Sequence, residues 1–464
     1  MTKQPNILIL MSDQHRYDCT GISGIYPVQT PNIDRIAKDG IWFTNAFTPL
    51  PVCGPSRQSF ICGRRPESFG AYWNDGIGLP IPSLTKNDYS WAKDMQAAHY
   101  ATGYIGKWGG SSTADPTAFG YDRYINSDKE YTAFRAAKYP ELSYANGVLG
   151  ETDPVPLDDA PTHWLAKRSC EMLEDLSRSG GPWHARINFT EPHPPCRPSE
   201  PFSSLYDPKQ VPVWGSFGDT FENKPYIQRQ QLLNWGLEDF TWEDWAPTVA
   251  RYYGIVSQMD DAVGMILQTL AELGEDENTI VIYTSDHGDM CGGHRMMDKH
   301  YILYDDVVKV PLAIRYPGVI APGQICDSFV YNTLDLPPTM LEWLNLPVPE
   351  EFHGRSLLPL LEEQPPEDWR TSVVCTYNGQ QFGLYVQRMI RTSTWKYIWN
   401  PTDLDELYDL VNDPNELINR IADPQCGETL SSLRRSLHGE LKKTKDGILR
   451  GSWLDGQLLE GRKL

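Results

Sequence analysis

The sequence predicts an α/β protein: a mostly parallel sheet flanked by helices, followed by a smaller C-terminal domain with an antiparallel sheet. Three observations lead to this prediction. Apolar runs of strand length alternate with helical segments as far as Arg315, the pattern of a parallel sheet covered on both faces. Near Gln364-Pro365-Pro366 the pattern changes to short strand-like runs with few helices between them. Hydrophobic residues make up 40% of the 464 residues and charged residues 22%, which excludes wholesale disorder.

The individual elements follow from apolar periodicity and from capping residues. Residues 7–11 form a continuous apolar run, as expected of a buried parallel strand. Thr30 and Pro31 begin a helix that Gly40 ends, and residues 41–47 form the next strand. A long helix starting at Pro247 has apolar residues spaced by three or four up to Leu273. The other elements of this part are predicted helices at residues 90–98 and 162–176, and predicted strands at residues 102–106, 183–189, 279–284 and 310–315.

Residues 366–464 are predicted to form a separate C-terminal subdomain after a first domain of residues 1–365. Its strands are expected at residues 372–377, 383–391 and 396–399, and an amphipathic helix near residues 430–443 closes it. Two stretches of the first domain, roughly 110–160 and 195–245, are rich in Pro, Gly, Trp and charge and have no clear periodicity. In α/β enzymes such insertions usually form the rim of the active site.

Charge and cysteine content restrict the partners and the compartment. Asp and Glu outnumber Lys and Arg by 61 to 41, so the net charge is −20 and nucleic acid is not expected as a partner. The nine cysteines are scattered without a CxxC or Cys/His spacing, which argues against a disulfide framework or a structural zinc. The apolar run at residues 7–11 is too short for a signal peptide or a membrane span, so we expect a cytoplasmic protein with no membrane partner.

Four polar clusters follow predicted strands, which is where open α/β sheets bind their ligands. A single Asp or His at such a place is more often a cap or a solvated side chain. Two carboxylates, an imidazole and an amide oxygen together suit a divalent cation, so the combination favours a metal site. The four clusters are Asp13-Gln14, Lys107, His193 and Asp286-His287.

A fifth cluster, Cys53-Gly-Pro-Ser-Arg57, begins a helix that Gly63 ends. Helix capping accounts for Pro55 and Gly63, but it does not account for a cysteine followed by Ser-Arg. The Cys-x-Pro-Ser-Arg string resembles the signature of the sulfatase family, in the alkaline phosphatase superfamily. The resemblance covers nearly the whole chain, and its other motifs are Asp13-Gln14, Gly106-Lys107-Trp108, Pro192-His193-Pro194, Asp286-His287-Gly288 with Lys299, Gly354-Arg-Ser-Leu357 and Glu406-Leu-Tyr-Asp409.

The resemblance implies an alkaline-phosphatase-like fold, a modified cysteine and a metal ion. A formylglycine-generating enzyme would convert Cys53 to formylglycine, whose hydrate would be the nucleophile. One divalent cation would be present, with Ca²⁺ as the first choice and Mn²⁺ or Mg²⁺ as alternatives. Its ligands would be Asp13, Gln14, Cys53, Asp286 and His287.

The resemblance also implies roles for the charged residues around Cys53. Arg57 would position the formylglycine, and His193 would give a proton to the leaving oxygen. Lys107 and Lys299 would neutralise charge on the transferring group. The substrate-binding residues would be Asn74, Lys107, His193 and Lys299. The alternatives are solvated surface lysines at Lys107 and Lys299, and turn residues at His193 and Asn74.

Two positions depart from the family pattern. Gln14 stands where the family commonly has a second Asp, and its neutral amide would make the metal site one charge weaker. Gly109 stands where the family often has a histidine that deprotonates the hydrated aldehyde to release sulfate. His300 or a water is the expected substitute for that base.

The resemblance implies the hydrolysis of a sulfate ester of a small organic molecule or a sugar. The alternative on the same scaffold is a phosphonate monoester or phosphodiester hydrolase, because such relatives vary at the position of Gly109. An inactive homologue that only binds a sulfate ester is a third hypothesis, which the retention of Cys53, Arg57 and Lys107 disfavours. The expected partners are the small anionic ester and the maturation enzyme, and the oligomeric state is left open.

Overall fold

The computed structural model describes residues 4–76, 78–380 and 383–463. Most of the strands lie in one large sheet and in one small sheet. The strands are β1 (Asn6–Asp13), β2 (Ile41–Phe43), β3 (Ala46–Phe47), β4 (Ala101–Gly106), β5 (Arg123–Ile125), β6 (Trp183–Pro192), β7 (Thr279–Ser285), β8 (Leu312–Arg315), β9 (Gln324–Cys326), β10 (Val330–Tyr331), β11 (Ser372–Gly379), β12 (Tyr385–Thr392), β13 (Trp395–Trp399) and β14 (Glu406–Asp409).

The α-helices cover the large sheet on both faces and the small sheet on one. They are α1 (Pro31–Lys38), α2 (Cys53–Cys62), α3 (Trp91–Ala97), α4 (Ser127–Lys138), α5 (Pro161–Ser177), α6 (Tyr226–Trp235), α7 (Trp242–Glu272), α8 (Asp305–Val308), α9 (Asn332–Trp343), α10 (Leu358–Leu361), α11 (Gly427–Lys443) and α12 (Ser452–Glu460).

The large sheet has eight strands in the order β5-β4-β6-β1-β7-β8-β2-β9. The five strands from β5 to β7 are parallel, whereas β8 runs antiparallel to both of its neighbours. Every residue of β1 is buried, because helices pack on both faces of the sheet centre. This order places the carboxyl ends of β4, β6, β1 and β7 side by side, and the expected mostly parallel α/β fold is confirmed.

The small sheet is antiparallel, in the order β11-β12-β13-β14. Leu433, Leu437 and Leu441 of α11 pack on one face of it against Tyr397 and Trp399. The other face of the small sheet packs in a hydrophobic core together with residues from the part of the chain that forms the large sheet, such as Phe47 and Tyr304. The expected second, antiparallel sheet is therefore present.

Several predicted bounds were wrong, each for a local reason. The strand expected at residues 41–47 is divided into β2 and β3, which belong to different sheets. The long helix begins at Trp242 rather than at Pro247, because Thr241 and Asp244 form a capping box ahead of the proline. The strand expected from residue 310 begins at Leu312. The irregular stretches contain α4 and α6, which periodicity did not indicate. Within the described residues, no helix is long and apolar enough to span a bilayer.

Candidate active site

The predicted site residues meet at the carboxyl ends of four adjacent strands. Asp13 ends β1, and Asp286 and His287 follow β7 directly. Lys107 follows β4, and His193 follows β6. A stretch of more than 270 residues separates Asp13 from Asp286 in the sequence, and the parallel pairing of β1 with β7 brings them together.

Cys53 is the first residue of α2, and the N-terminus of this helix lies beside Asp13 and His287. Its Sγ lies 3.2 Å from Nε2 of His287 and 3.6 Å from Oδ1 of Asp13. The other ring nitrogen of His287, Nδ1, is 2.9 Å from the carbonyl oxygen of Gly288, so Nδ1 carries the proton and Nε2 faces Cys53. A thiol, an imidazole and two carboxylates are thus gathered in one buried place.

The donor set at this place fits a divalent cation. One ligand atom each from Asp13, Cys53, Asp286 and His287 lies within 4.8 Å of the others, and all four residues are buried. Burial raises the pKa of Asp286, and two carboxylates this close oppose each other's ionisation. A cation between them would relieve that conflict, and oxygen and imidazole donors suit Ca²⁺, Mn²⁺ or Mg²⁺.

Arg57 connects the two acids. Its Nε donates to Oδ2 of Asp286 at 2.8 Å, its Nη2 to Oδ2 of Asp13 at 3.1 Å, and its Nη1 to the carbonyl oxygen of Lys107 at 3.2 Å. A fully buried guanidinium with these three acceptors holds both carboxylates in place. Two of these contacts are with predicted metal ligands, and the expected action of Arg57 on the residue at position 53 stays a prediction.

Two lysines surround Cys53. The Lys107 ammonium contacts Oδ2 of Asp13, and the Lys299 ammonium lies 3.0 Å from Nε2 of His193. Burial and Asp13 raise the pKa of the Cys53 thiol, but Lys107, Lys299 and His287 outweigh them and hold that pKa well below its ordinary value. The site therefore favours negative charge at position 53, which is the charge expected of an attacking nucleophile or a bound anionic ester.

Gln14 is tied to its neighbours through both ends of its amide. Its Nε2 donates to Oδ2 of Asp289 at 2.7 Å and to Oδ1 of Asp298 at 2.8 Å, while its Oε1 accepts from Nζ of Lys299 at 2.6 Å. The amide oxygen is thus directed to Lys299. The assignment of Gln14 as a metal ligand stays a prediction.

Sequence reasoning missed Asp298 in this network. Asp298 lies 3.1 Å from Nζ of Lys299 and 2.9 Å from Nε2 of His300, and these two neighbours hold its pKa well below the ordinary value against the effect of burial. Its position immediately before Lys299 and His300 was the signal available. Both ring nitrogens of His300 have a polar neighbour, since Nε2 faces Asp298 and Nδ1 lies 3.4 Å from the hydroxyl of Tyr377.

Asn74 and Gly109 lie at the mouth of the site. Oδ1 of Asn74 accepts from the backbone N–H of Gly54 at 2.8 Å, so it satisfies one free donor of the α2 N-terminus. Both residues line a cavity of about 300 Å³ that also contains Cys53, Lys107 and His193. Gly109 has φ +66°, and a Cβ there would lie 3.0 Å from Cδ of Arg57, which explains why a larger residue is disfavoured in this chain.

The fold and the site together define an α/β enzyme with the alkaline-phosphatase-like fold. A family model described as Sulfatase matches residues 5–346, and one described as N-sulphoglucosamine sulphohydrolase, C-terminal, matches residues 292–444. The chain belongs to the sulfatase family.

Relatives and structural neighbours match the chain over almost its full length. The chain is 28% identical to an arylsulfatase of Clostridium perfringens over 480 residues, with 97% of each chain covered. It superposes on the phosphonate monoester hydrolase of Agrobacterium radiobacter with a TM-score of 0.79 and 26% identity, over 94% of this chain and 96% of that one. A structure solved in complex with its substrate D-glucosamine-2-N,6-O-disulfate shares the fold, with a TM-score of 0.78, 23% identity and 96% and 99% coverage.

Proposed function

We propose that this enzyme hydrolyses the sulfate ester of a small organic molecule or a sugar, using a nucleophile made from Cys53. The observation that carries the proposal is the contact of Cys53 with Asp13 and His287 at the N-terminus of α2, between Lys107 and Lys299. Family membership and the arylsulfatase relative support the same reaction. The sugar disulfate bound by the structural neighbour supports a sugar as the leaving group.

The residues of the chain have separate tasks in this reaction. Arg57 holds the carboxylates of Asp13 and Asp286 in place through its ion pairs with them. Lys107 and Lys299 attract the anionic ester and neutralise its charge. A divalent cation, Ca²⁺ first, would supply Lewis-acid polarisation of the ester oxygens when bound. Formylglycine at position 53 would supply an aldehyde hydrate in place of the thiol. The cytoplasm as the location and a formylglycine-generating enzyme as the partner stay predictions.

Modification at position 53 is tested by intact mass spectrometry after co-expression with a formylglycine-generating enzyme. Conversion of a cysteine to the aldehyde replaces sulfur by oxygen and removes two hydrogens, so the protein should be about 18 Da lighter than its sequence mass. Cys53→Ala should lose both this mass difference and sulfatase turnover. Cys62→Ala, at the other buried end of α2, is the matched control and should keep both. Full turnover by Cys53→Ala would disprove the covalent mechanism.

Metal binding is tested by substitution of single ligands. Asp13→Ala and Asp286→Ala should each lose the bound metal and the activity, because each removes a buried charged ligand. Gln14→Ala removes a neutral group and should retain more metal. Elemental analysis of the purified proteins measures the metal directly. Equal loss of metal in Gln14→Ala and Asp286→Ala would contradict our ranking of the ligands.

A phosphonate monoester or phosphodiester hydrolase is the second candidate, and Gly109 is the observation that favours it. One solved structure that shares 26% identity with this chain over 94% of its length is a phosphonate monoester hydrolase. Parallel kinetics on sulfate monoesters, phosphonate monoesters and phosphate diesters separate the two candidates. The highest kcat/KM on a sulfate monoester is the expected result, and a preference for the phosphorus esters would replace our first proposal.

A further inference from the structure

A second cavity opens beside the active site, on the side of His193. It has a volume of about 290 Å³ and lies between α4, the segment of residues 144–153 and the end of β6. His193 lines both this cavity and the one that contains Cys53. A molecule with its ester at Cys53 would therefore extend past His193 into this second cavity, which we call the leaving-group cavity.

Two guanidinium groups lie over the Tyr144 ring at the wall of the leaving-group cavity. The Cζ atom of Arg197 is 3.9 Å from the ring centroid, and that of Arg135 is 4.8 Å away. The ring is fixed by its hydroxyl, which donates to Oδ1 of Asp153 at 2.9 Å. Stacking on an aromatic ring uses the face of a guanidinium and leaves the N–H groups at its edge available for bidentate hydrogen bonds.

Neither arginine has a close carboxylate partner in the described part of the chain. Arg197 approaches Glu151 only to 4.0 Å, and its one hydrogen bond, to the carbonyl oxygen of Gly147, is long at 3.4 Å. Arg135 forms no ion pair with any residue that the structure describes. Asp153 and Glu191 also line the cavity, but within the described residues Glu151 is the one acid that forms an ion pair with either guanidinium, so two adjacent arginines that share one distant acid are an anion-binding arrangement.

The floor of the leaving-group cavity offers groups that suit hydroxyls. Ser127 is 7% exposed, and its Oγ has no hydrogen-bond partner among the described residues. Burial raises the pKa of Glu191 to about 7, so this carboxyl can donate as well as accept a hydrogen bond near neutral pH. A buried hydroxyl without a partner costs free energy unless a ligand satisfies it.

We propose that the leaving-group cavity binds a sugar that carries a second anionic group, a sulfate or a carboxylate, and that Arg135 and Arg197 bind that group. This inference rests on the proposed sulfatase function and names its substrate class: a sulfated sugar with at least one further negative charge. Ser127 and Glu191 bind ring hydroxyls, and His193 lies at the ester bond. Arg135 and Arg197 are then specificity-determining residues.

Binding to the full chain carrying Cys53→Ala tests the inference without turnover. The probes are glucosamine 2-N,6-O-disulfate and N-acetylglucosamine 6-O-sulfate, which differ in the charge of the substituent at nitrogen. Calorimetry should show tighter binding of the disulfate. Adding Arg135→Gln or Arg197→Gln should weaken disulfate binding by about tenfold each, as expected for loss of a charge-assisted hydrogen bond, and should leave monosulfate binding unchanged.

Two further variants serve as controls. Lys129→Gln removes an exposed cation from α4, the helix that contains Arg135, and should leave both affinities unchanged. This control distinguishes direct contact with the ligand from the long-range effect of one positive charge. Arg197→Lys keeps the positive charge but loses the two parallel N–H groups of the guanidinium, so it should recover only part of the affinity for the disulfate. If Arg197→Gln fails to fold, Arg135→Gln carries the test.

Equal affinity of the Cys53→Ala chain for both sugars, or equal losses for both sugars in the arginine variants, would overturn the inference. Failure of the proposed function has a different result. In that case the enzyme without the Cys53→Ala substitution, matured by a formylglycine-generating enzyme, would turn over neither sugar, whatever its binding preference.

Discussion

At the scale of single residues, the surroundings of His193 fix the position of its proton. Nδ1 lies 2.7 Å from the carbonyl oxygen of Pro194 and must donate to it, so Nε2 accepts from the Lys299 ammonium at 3.0 Å. A proton carried on Nε2 can be given to a leaving oxygen, while Lys299 keeps its own charge beside it. We predict that His193→Ala slows esters with poor leaving groups by about 10²- to 10⁴-fold and activated aryl esters much less.

Steady-state and burst kinetics with an alkyl sulfate and a nitrophenyl sulfate measure this difference. His438→Ala, in the C-terminal helices, is the control for loss of a histidine and should have no effect on either ester. Equal slowing of both esters by His193→Ala would show that His193 does not act on the leaving oxygen. His193 would then be the better candidate for the base whose usual position is occupied by Gly109.

The sequence indicated which residues lie near one another at the site. It did not indicate which side chains of that group form hydrogen bonds with each other. Strand ends and the Cys-x-Pro-Ser-Arg string are local signals, so they identified Cys53 and Asp286. The contacts of Gln14 with Asp289 and Asp298 span more than 270 residues. They depend on the irregular loop after β7, in which Asp298 has φ +65°. No local pattern encodes such a loop, so the partners of Gln14 were not predictable.

At the scale of elements, α1 depends on another helix for its N-terminus. Thr30, at the N-cap, makes no side-chain cap bond to α1. Instead Asp260 of α7 accepts from the backbone N–H groups of Asn32 at 3.1 Å and Ile33 at 2.8 Å. Asp260→Ala would leave both donors buried without an acceptor, so we expect a loss of about 2 kcal/mol in the free energy of unfolding.

Chemical denaturation monitored by circular dichroism measures this loss. Asp261→Ala, one position along α7, is the matched control, because the Asp261 side chain is 51% exposed and its ion pair within the described residues is with Nε2 of His163 at 3.0 Å. Its effect should stay below about 1 kcal/mol. Indistinguishable stabilities of the two variants would mean that α1 is held by its apolar face alone.

Elements with a strong period were predictable, and those set by tertiary contacts were not. The continuous apolar run of β1 and the regular apolar spacing of α7 both identified real elements. The division of residues 41–47 into β2 and β3 has no local signal, because Thr44 and Asn45 turn the chain by bonding to the distant residues Cys326 and Asp327. The sequence could show an apolar segment there, but not that it serves two sheets.

At the scale of the whole molecule, the proposed division at residue 365 crosses a shared core. Val373, Tyr377 and Met389 of the C-terminal sheet pack in one cluster with Phe47 and Tyr304. The family model that matches the C-terminal part also begins well before the division, at residue 292. We therefore propose that residues 1–365 and 366–464 unfold in one transition, although they differ in architecture.

A buried lysine at this junction allows the proposal to be tested. Lys396 of β13 is fully buried, and its ammonium lies 2.7 Å from Oδ1 of Asp305 and 2.6 Å from Oε1 of Glu416. It also donates to the carbonyl oxygen of Leu303 at 3.1 Å. Lys396→Met would leave the buried Glu416 carboxylate without its cation, while Asp305 would keep its ion pair with Arg391 at 2.9 Å, so we predict a loss of about 3 kcal/mol in the free energy of unfolding.

The loss should affect both parts of the chain equally if they unfold together. Amide hydrogen exchange of β1 and of β13 should accelerate by the same factor in Lys396→Met, because both are then protected by one global opening. Lys442→Met removes a half-exposed lysine that pairs with Asp455, and its effect should stay below about 1 kcal/mol. Faster exchange in β13 with unchanged exchange in β1 would show instead that residues 366–464 open on their own, and the division at residue 365 would then mark an independent folding unit.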